Sequence, residues 1–208
     1  MKNIKWIFFD IGSTLVDESK AYEHRIKDTI QNTNITYKQF RKLMIDFAKQ
    51  GKNGYIEATK KLNLQTTKWH SEDECLYPDT VSTLKLLSQK YKIGIIANQP
   101  LGTQERLNKM KIDKYINLVI SSAEEKVSKP DLKIFQLALD RVGCSADNTV
   151  MVGDRLDNDI VPAKAVGMKT IWIKQGLGGL ATPKNDSETA DFTVKNISEI
   201  CDYLGDFR

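Results

Sequence analysis

Lys5-Trp6-Ile7-Phe8-Phe9-Asp10-Ile11-Gly12-Ser13-Thr14-Leu15 is the stretch on which the fold turns. Four strand-favouring apolar residues run without a polar break and end on an acid. An unbroken apolar run of this length suits a strand covered on both faces, the mark of a parallel sheet. The texture recurs downstream at Ile93-Gly94-Ile95-Ile96-Ala97, Leu118-Val119-Ile120 and Thr149-Val150-Met151-Val152. Thr170-Ile171-Trp172-Ile173 and Asp191-Phe192-Thr193-Val194 complete the series. Helix-period segments lie between these runs. Val81, Leu84, Leu86-Leu87 and Tyr91 share a stripe opened by Pro78-Asp79. Ile134, Leu137-Ala138 and Val142 form another, closed by Gly143 as a left-handed cap. The alternation predicts an α/β fold: a doubly wound, Rossmann-like parallel sheet with right-handed crossovers.

Residues from Val16 to Tyr77 depart from this pattern. They contain no convincing strand, and helices are expected at about 20–33, 36–50 and 54–64. Phe40, Leu43-Met44 and Phe47 recur at three- and four-residue spacings and call for an apolar partner. Because one strand precedes it, the segment reads as an insertion after the first strand. The expected division is 1–15 and 79–208 for the α/β core and 16–78 for a small inserted helical unit. Glu72-Asp73-Glu74 reads as a solvated hinge, and Asp17, Glu18 and His24 as surface residues.

Composition narrows the classes further. The 208 residues carry 31 Lys+Arg against 27 Asp+Glu, a net charge of +4 without a clustered basic stripe. That argues against a nucleic-acid partner. Ile7-Phe8-Phe9 is too short for a signal peptide or membrane span and is ended by Asp10. The three cysteines are odd in number and form no CxxC pair. Reduced thiols and a cytoplasmic location are therefore expected, with no membrane partner; a monomer is the default and a dimer stays open.

In open α/β sheets, ligands bind outside the carboxyl ends of the strands. The residues there are Asp10, Asn98, Lys129 ahead of the helix near 131, and Gly153-Asp154 with Asp157-Asn158-Asp159. This set suits phosphoryl transfer. A carboxylate attacks phosphorus, a hard divalent ion is held by carboxylates, and a lysine offsets charge on the transferred group.

In order along the chain, these residues resemble the motifs of the haloacid dehalogenase-like (HAD) hydrolases. Phe8 to Leu15 is similar to the first motif, Ile95-Ile96-Ala97-Asn98 to the second, and Lys129-Pro130-Asp131 to the third. Val152-Gly153-Asp154 through Asp159-Ile160 is similar to the fourth. The resemblance implies a Mg²⁺-dependent phosphatase acting on a small phosphorylated metabolite through an aspartyl-phosphate on Asp10. It further implies Mg²⁺ held by Asp10, the main-chain carbonyl of Gly12, Asp154 and Asp159, the last directly or through a metal-bound water. Lys129 would bridge Asp10 and the phosphate, Thr14 and Asn98 would contact substrate, and 16–78 would be a cap over the site.

Two positions depart from the phosphatase pattern. Position 12, where the phosphatase branch usually carries an acid for the leaving alcohol, is Gly12. Loss of positioned acid catalysis typically costs about 10²–10⁴-fold. Ala97 stands where Ser or Thr is usual. These departures keep two other readings open: a non-catalytic or very slow HAD-fold binding or regulatory protein, and a 2-haloacid dehalogenase, which needs the nucleophile but no metal.

Overall fold

The computed structural model describes residues 3–204. In chain order the elements begin with β1 (Trp6–Phe9), β2 (Val16–Asp17), α1 (Ser19–Ile30), α2 (Tyr37–Ala48), α3 (Gly54–Lys61) and β3 (Cys75–Leu76). There follow α4 (Thr80–Leu87), β4 (Lys92–Ala97), α5 (Thr103–Lys109), β5 (Leu118–Ser121), α6 (Ser122–Glu125) and α7 (Leu132–Val142). The chain continues through β6 (Thr149–Gly153), α8 (Val161–Ala165), β7 (Lys169–Ile173), β8 (Phe192–Val194) and α9 (Ile200–Leu204).

The expected apolar runs form one six-stranded sheet in the order β5-β4-β1-β6-β7-β8, every pairing parallel. Successive side chains of a strand point to opposite faces, and the core divides accordingly. Ile7 and Phe9 join Leu84 and Leu87 of α4, Leu107 of α5 and Ile200 of α9 on one face. Phe8 joins Ile134, Phe135 and Ala138 of α7 and Ala163 of α8 on the other. Ile93 and Ile95 against Ile96, and Val150 and Val152 against Met151, repeat the split. The sheet is therefore doubly wound, and Ile7, Phe8 and Phe9 are fully buried. Each such side chain gains roughly 1.5–3 kcal/mol from leaving water. Gly143 ends α7 in the left-handed conformation (φ 57°).

β1 lies between β4 and β6, so the chain leaves it in both directions across the sheet. The crevice at that reversal, beyond the carboxyl ends of β1, β4 and β6, is where such sheets bind ligands.

The helices between β1 and α4 fall close to the expected spans. Thr36 and Gln39 cap α2 reciprocally, and the Asn53 side chain caps α3. Ile26, Phe40, Met44, Tyr55 and Ala58 pack into a cluster of their own, with Leu177 from the β7–β8 connection against it. Phe47 is only partly buried.

Two expectations for this region need correction. Val16–Asp17 and Cys75–Leu76 pair antiparallel, so the stretch does begin and end on strand. Two residues per strand carry no readable period, which is why the ribbon escapes the pattern. Glu74, expected in a solvated hinge, has a side chain only 2% exposed and pairs with Arg106 at 2.5 Å. It also accepts from Trp69 Nε1 at 2.7 Å. A distant cation and an indole N–H bury it, and neither is visible in local sequence.

Candidate active site

β1 ends at Phe9, and Asp10 follows with its N–H donating to the Val152 carbonyl. The nucleophile candidate is thereby fixed to the neighbouring strand at the sheet's rim. The chain then turns tightly, with Leu15 N–H and Val16 N–H both donating to the Ile11 carbonyl. Ser13 sits in the turn at φ 55°.

Lys129 is the hub of the charges. Its Nζ donates to Asp10 Oδ1 at 2.7 Å and to Asp159 Oδ1 at 2.6 Å, with its side chain only 2% exposed. Burial works against a charged lysine, but the two carboxylates outweigh it and hold the ammonium above its ordinary range. Asn98 fixes Lys129 from behind: its Nδ2 donates to the Lys129 carbonyl and its Oδ1 accepts the Lys129 N–H. The amide expected to contact substrate is thus engaged with main chain. Asn98 also lines the cavity beside the lysine.

Beyond β6, Arg155 to Ile160 decide between neighbouring acids. Leu156–Ile160 forms a π-helical turn, a wide turn often found at functional sites. Asp157 points outward to pair with Arg155 at 2.5 Å. Asp159 points inward, is 1% exposed, and accepts the Arg155 N–H as well as Lys129. Gly153 makes this fold-back feasible, because a Cβ there would overlap the Asp159 carboxylate.

Asp10, Asp154 and Asp159 offer ligand oxygens within 4.8 Å of one another. Burial, then repulsion from Asp159 and Asp10, raises the Asp154 carboxyl well above the carboxylate range. Burial also pushes Asp159 up to about 6, against the pull of Lys129. Asp154 has no ion-pair partner among the described residues; its carbonyl accepts from Trp172 Nε1 at 2.6 Å. A buried carboxylate without a cation is costly. Three clustered carboxylates with one lysine therefore suit a hard, oxygen-seeking divalent cation such as Mg²⁺. Gly12 lines the same cavity.

That cavity measures about 220 Å³ and joins two parts of the molecule. Asp10, Gly12, Ser13, Asn98, Lys129, Asp154 and Asp159 come from the sheet's rim, and Tyr22, Lys52, Asn53 and Gly54 from the helical segment. Thr14 does not line it. The turn buries Thr14 completely with its hydroxyl unpaired, and presents Ser13 to the cavity instead. Ala97 is buried as well and supplies no hydroxyl.

Glu18, expected on the surface, is the member that the sequence least advertised. It lines the cavity and accepts a hydrogen bond from Ser13 Oγ at 2.8 Å. Burial pushes its carboxyl up to about 7, against that hydrogen bond. No motif spacing marks it; only its being the residue between β2 and α1 brings it here.

A parallel sheet with a nucleophile-ready carboxylate after its central strand, a buried lysine and an acidic pair after the neighbouring strand defines a class of hydrolases. The chain matches the haloacid dehalogenase-like hydrolase family over residues 7–173 and belongs to it. It is 30% identical to a glyceraldehyde 3-phosphate phosphatase of Pyrococcus furiosus, over 98% of this chain and 94% of the relative. The crystal structure of a HAD phosphatase from Thermococcus onnurineus superposes with a TM-score of 0.67 at 24% identity, covering 97% of this chain and 98% of that one. A 2-haloacid dehalogenase from Pseudomonas syringae superposes with a TM-score of 0.63 at 20% identity, over 97% and 98% of the two chains. At those identities the two structures share the fold. Among the described residues no helix is long and apolar enough to cross a membrane.

Proposed function

We propose that this protein is a Mg²⁺-dependent phosphatase of a small phosphorylated metabolite, working through an aspartyl-phosphate on Asp10. The observation that carries the reading is the Asp10 carboxylate held 2.7 Å from the buried Lys129 ammonium, in a cavity shared with Asp154 and Asp159. Similarity to a glyceraldehyde 3-phosphate phosphatase supports a small sugar-phosphate-like substrate.

Lys129 orients Asp10 through its 2.7 Å ion pair, and its ammonium would offset charge on the anion that Asp10 attacks. Asn98 holds that lysine in place through its main chain. Asp159 balances the second side of the ammonium. Asp10, the Gly12 carbonyl and Asp154 would hold Mg²⁺, with Asp159 behind them, and the bound ion would neutralise charge on the phosphoryl oxygens. Residues 16–78 would act as a cap on the 1–15 and 79–208 core, excluding water and reading the leaving group through Tyr22, Lys52 and Asn53.

The uncompensated burial of Asp154 favours this reading over a metal-free dehalogenase. The intact Asp10–Lys129–Asp159 set favours it over a binding protein that has lost its chemistry. Phosphate release from p-nitrophenyl phosphate and a panel of phosphorylated metabolites, with Mg²⁺ and with chelator, tests it. Asp10→Asn should lower turnover by about 10³-fold or more, since loss of a nucleophile removes the covalent route entirely. Equal rates in the two proteins would sink the mechanism.

A further inference from the structure

The first half-reaction creates a demand that the groups described so far do not meet. An alkoxide expelled from phosphorus needs a proton near neutral pH, and Asp10, Asp154, Asp159 and Lys129 are committed to attack, cation and charge balance. Glu18 is the other carboxyl lining the cavity.

Its placement is specific. Gly12 does not adopt a positive φ, so its lack of a side chain is not a conformational requirement of the turn. The reason is space. A Cβ on Gly12 would lie 2.5 Å from Glu18 Oε1, 2.9 Å from Cδ and 3.0 Å from Oε2. The Glu18 carboxylate occupies the volume into which any side chain at position 12 would grow. It also forgoes the local task open to it: as the residue preceding α1 it makes no capping hydrogen bond. Its Oε2 instead takes the Ser13 hydroxyl, and no cationic side chain pairs with it among the described residues.

We propose that Glu18 is the acid–base residue of the reaction, delivered to the site from six residues beyond Gly12. This rests on the phosphatase reading above. In the first step Asp10 forms a bond to phosphorus, the P–O bond to the alcohol breaks, and the Glu18 carboxyl gives its proton to the departing oxygen. In the second step water attacks the aspartyl-phosphate, the bond from phosphorus to Asp10 breaks, and the Glu18 carboxylate takes the water proton. Phosphate leaves and the carboxyl is restored.

The test separates leaving groups and turnover steps. With Glu18→Gln, turnover of glycerol phosphate and other alkyl phosphates should fall by about 10²–10⁴-fold. The first-turnover burst of p-nitrophenolate from p-nitrophenyl phosphate, whose leaving group needs no proton, should survive and be followed by slow hydrolysis. Gly12→Ala, which displaces the carboxylate without altering it, should give the same alkyl-selective loss. Gly12→Asp combined with Glu18→Ala moves the acid to the position it displaces and should regain alkyl turnover relative to Glu18→Ala alone. Equal loss of the aryl burst and alkyl turnover in Glu18→Gln, or no loss of either, overturns the assignment, as does a swap variant without recovery. An inactive wild type, or activity unchanged in Asp10→Asn, would overturn the phosphatase reading itself and the Glu18 role with it.

Discussion

The sheet's rim and the helical layer above it are held together by different physics. At the rim, Lys129, Asp10 and Asp159 form a buried ionic hub, and Asp154 sits beside it with no ion-pair partner among the described residues. In the layer, Phe40, Met44, Tyr55 and Ile26 form an apolar cluster edged by hydroxyls, with Tyr55 Oη 2.7 Å from Thr29 Oγ1. The rim is geometrically exacting and energetically tense, because like charges are kept close. The layer is held by packing, which tolerates variation so long as volume is filled. Chemistry is best supported by the first kind of region and substrate choice by the second.

The sharpest way to break the contrast is Lys129→Met. Removing one partner of a buried ion pair leaves uncompensated charge, and the expected loss is about 3–5 kcal/mol of unfolding free energy together with the activity. Denaturant titration beside a phosphate-release assay checks both. Phe40→Ala should cost about 3–4 kcal/mol, in line with a cavity left by a fully buried ring. Below its unfolding range, however, turnover should change far less than in Lys129→Met. If Phe40→Ala abolished the chemistry outright, layer and rim would not be separable in this way.

A smaller effect is expected from the cation. Mg²⁺ binding to the folded rim should raise stability by about 2.7 kcal/mol when its concentration is 100 times Kd. Asp154→Asn should remove most of that response in a thermal melt. An equal gain in both proteins would mean that the ion binds elsewhere.

The smallest effect lies in the layer. His70, buried and stacked on His24 with ring centroids 3.5 Å apart, is bonded to Glu72 at 3.0 Å and Asp28 at 2.7 Å. Those hydrogen bonds, Glu72 first, raise its pKa above the ordinary 6.5. A raised histidine contributes stability that is complete below pH 6.5 and is lost as pH climbs through the raised folded value. Melting temperature should therefore decline over that window in wild type. His70→Gln should flatten the decline, whereas an identical profile in the two proteins would assign it to other groups.

How far the sequence reaches follows the same divide. The strands were readable because Ile7-Phe8-Phe9 and its counterparts are buried on both faces, and their acids because each follows a strand directly. The family resemblance names Asp159, but residue spacing alone does not separate its role from that of Asp157; the π-helical turn does, by pointing Asp159 inward. Thr14, expected to contact substrate, is turned into the core, and the tight turn brings its neighbour Ser13 to the cavity. Asn98, expected to contact substrate, lines the cavity and also bonds main chain that lies 31 residues away, a pairing no local pattern shows.

The sequence by itself determined the layered sheet and the order in which Asp10, Asn98, Lys129 and Asp154 arrive at its edge, because hydrophobic period and strand ends are local properties. The tertiary structure alone decided which carboxylates share a cavity. Glu18 joins it because β2 and β3 pair across the chain and because Gly12 leaves it room. Packing space and burial are set by residues distant in sequence, and no local pattern encodes them.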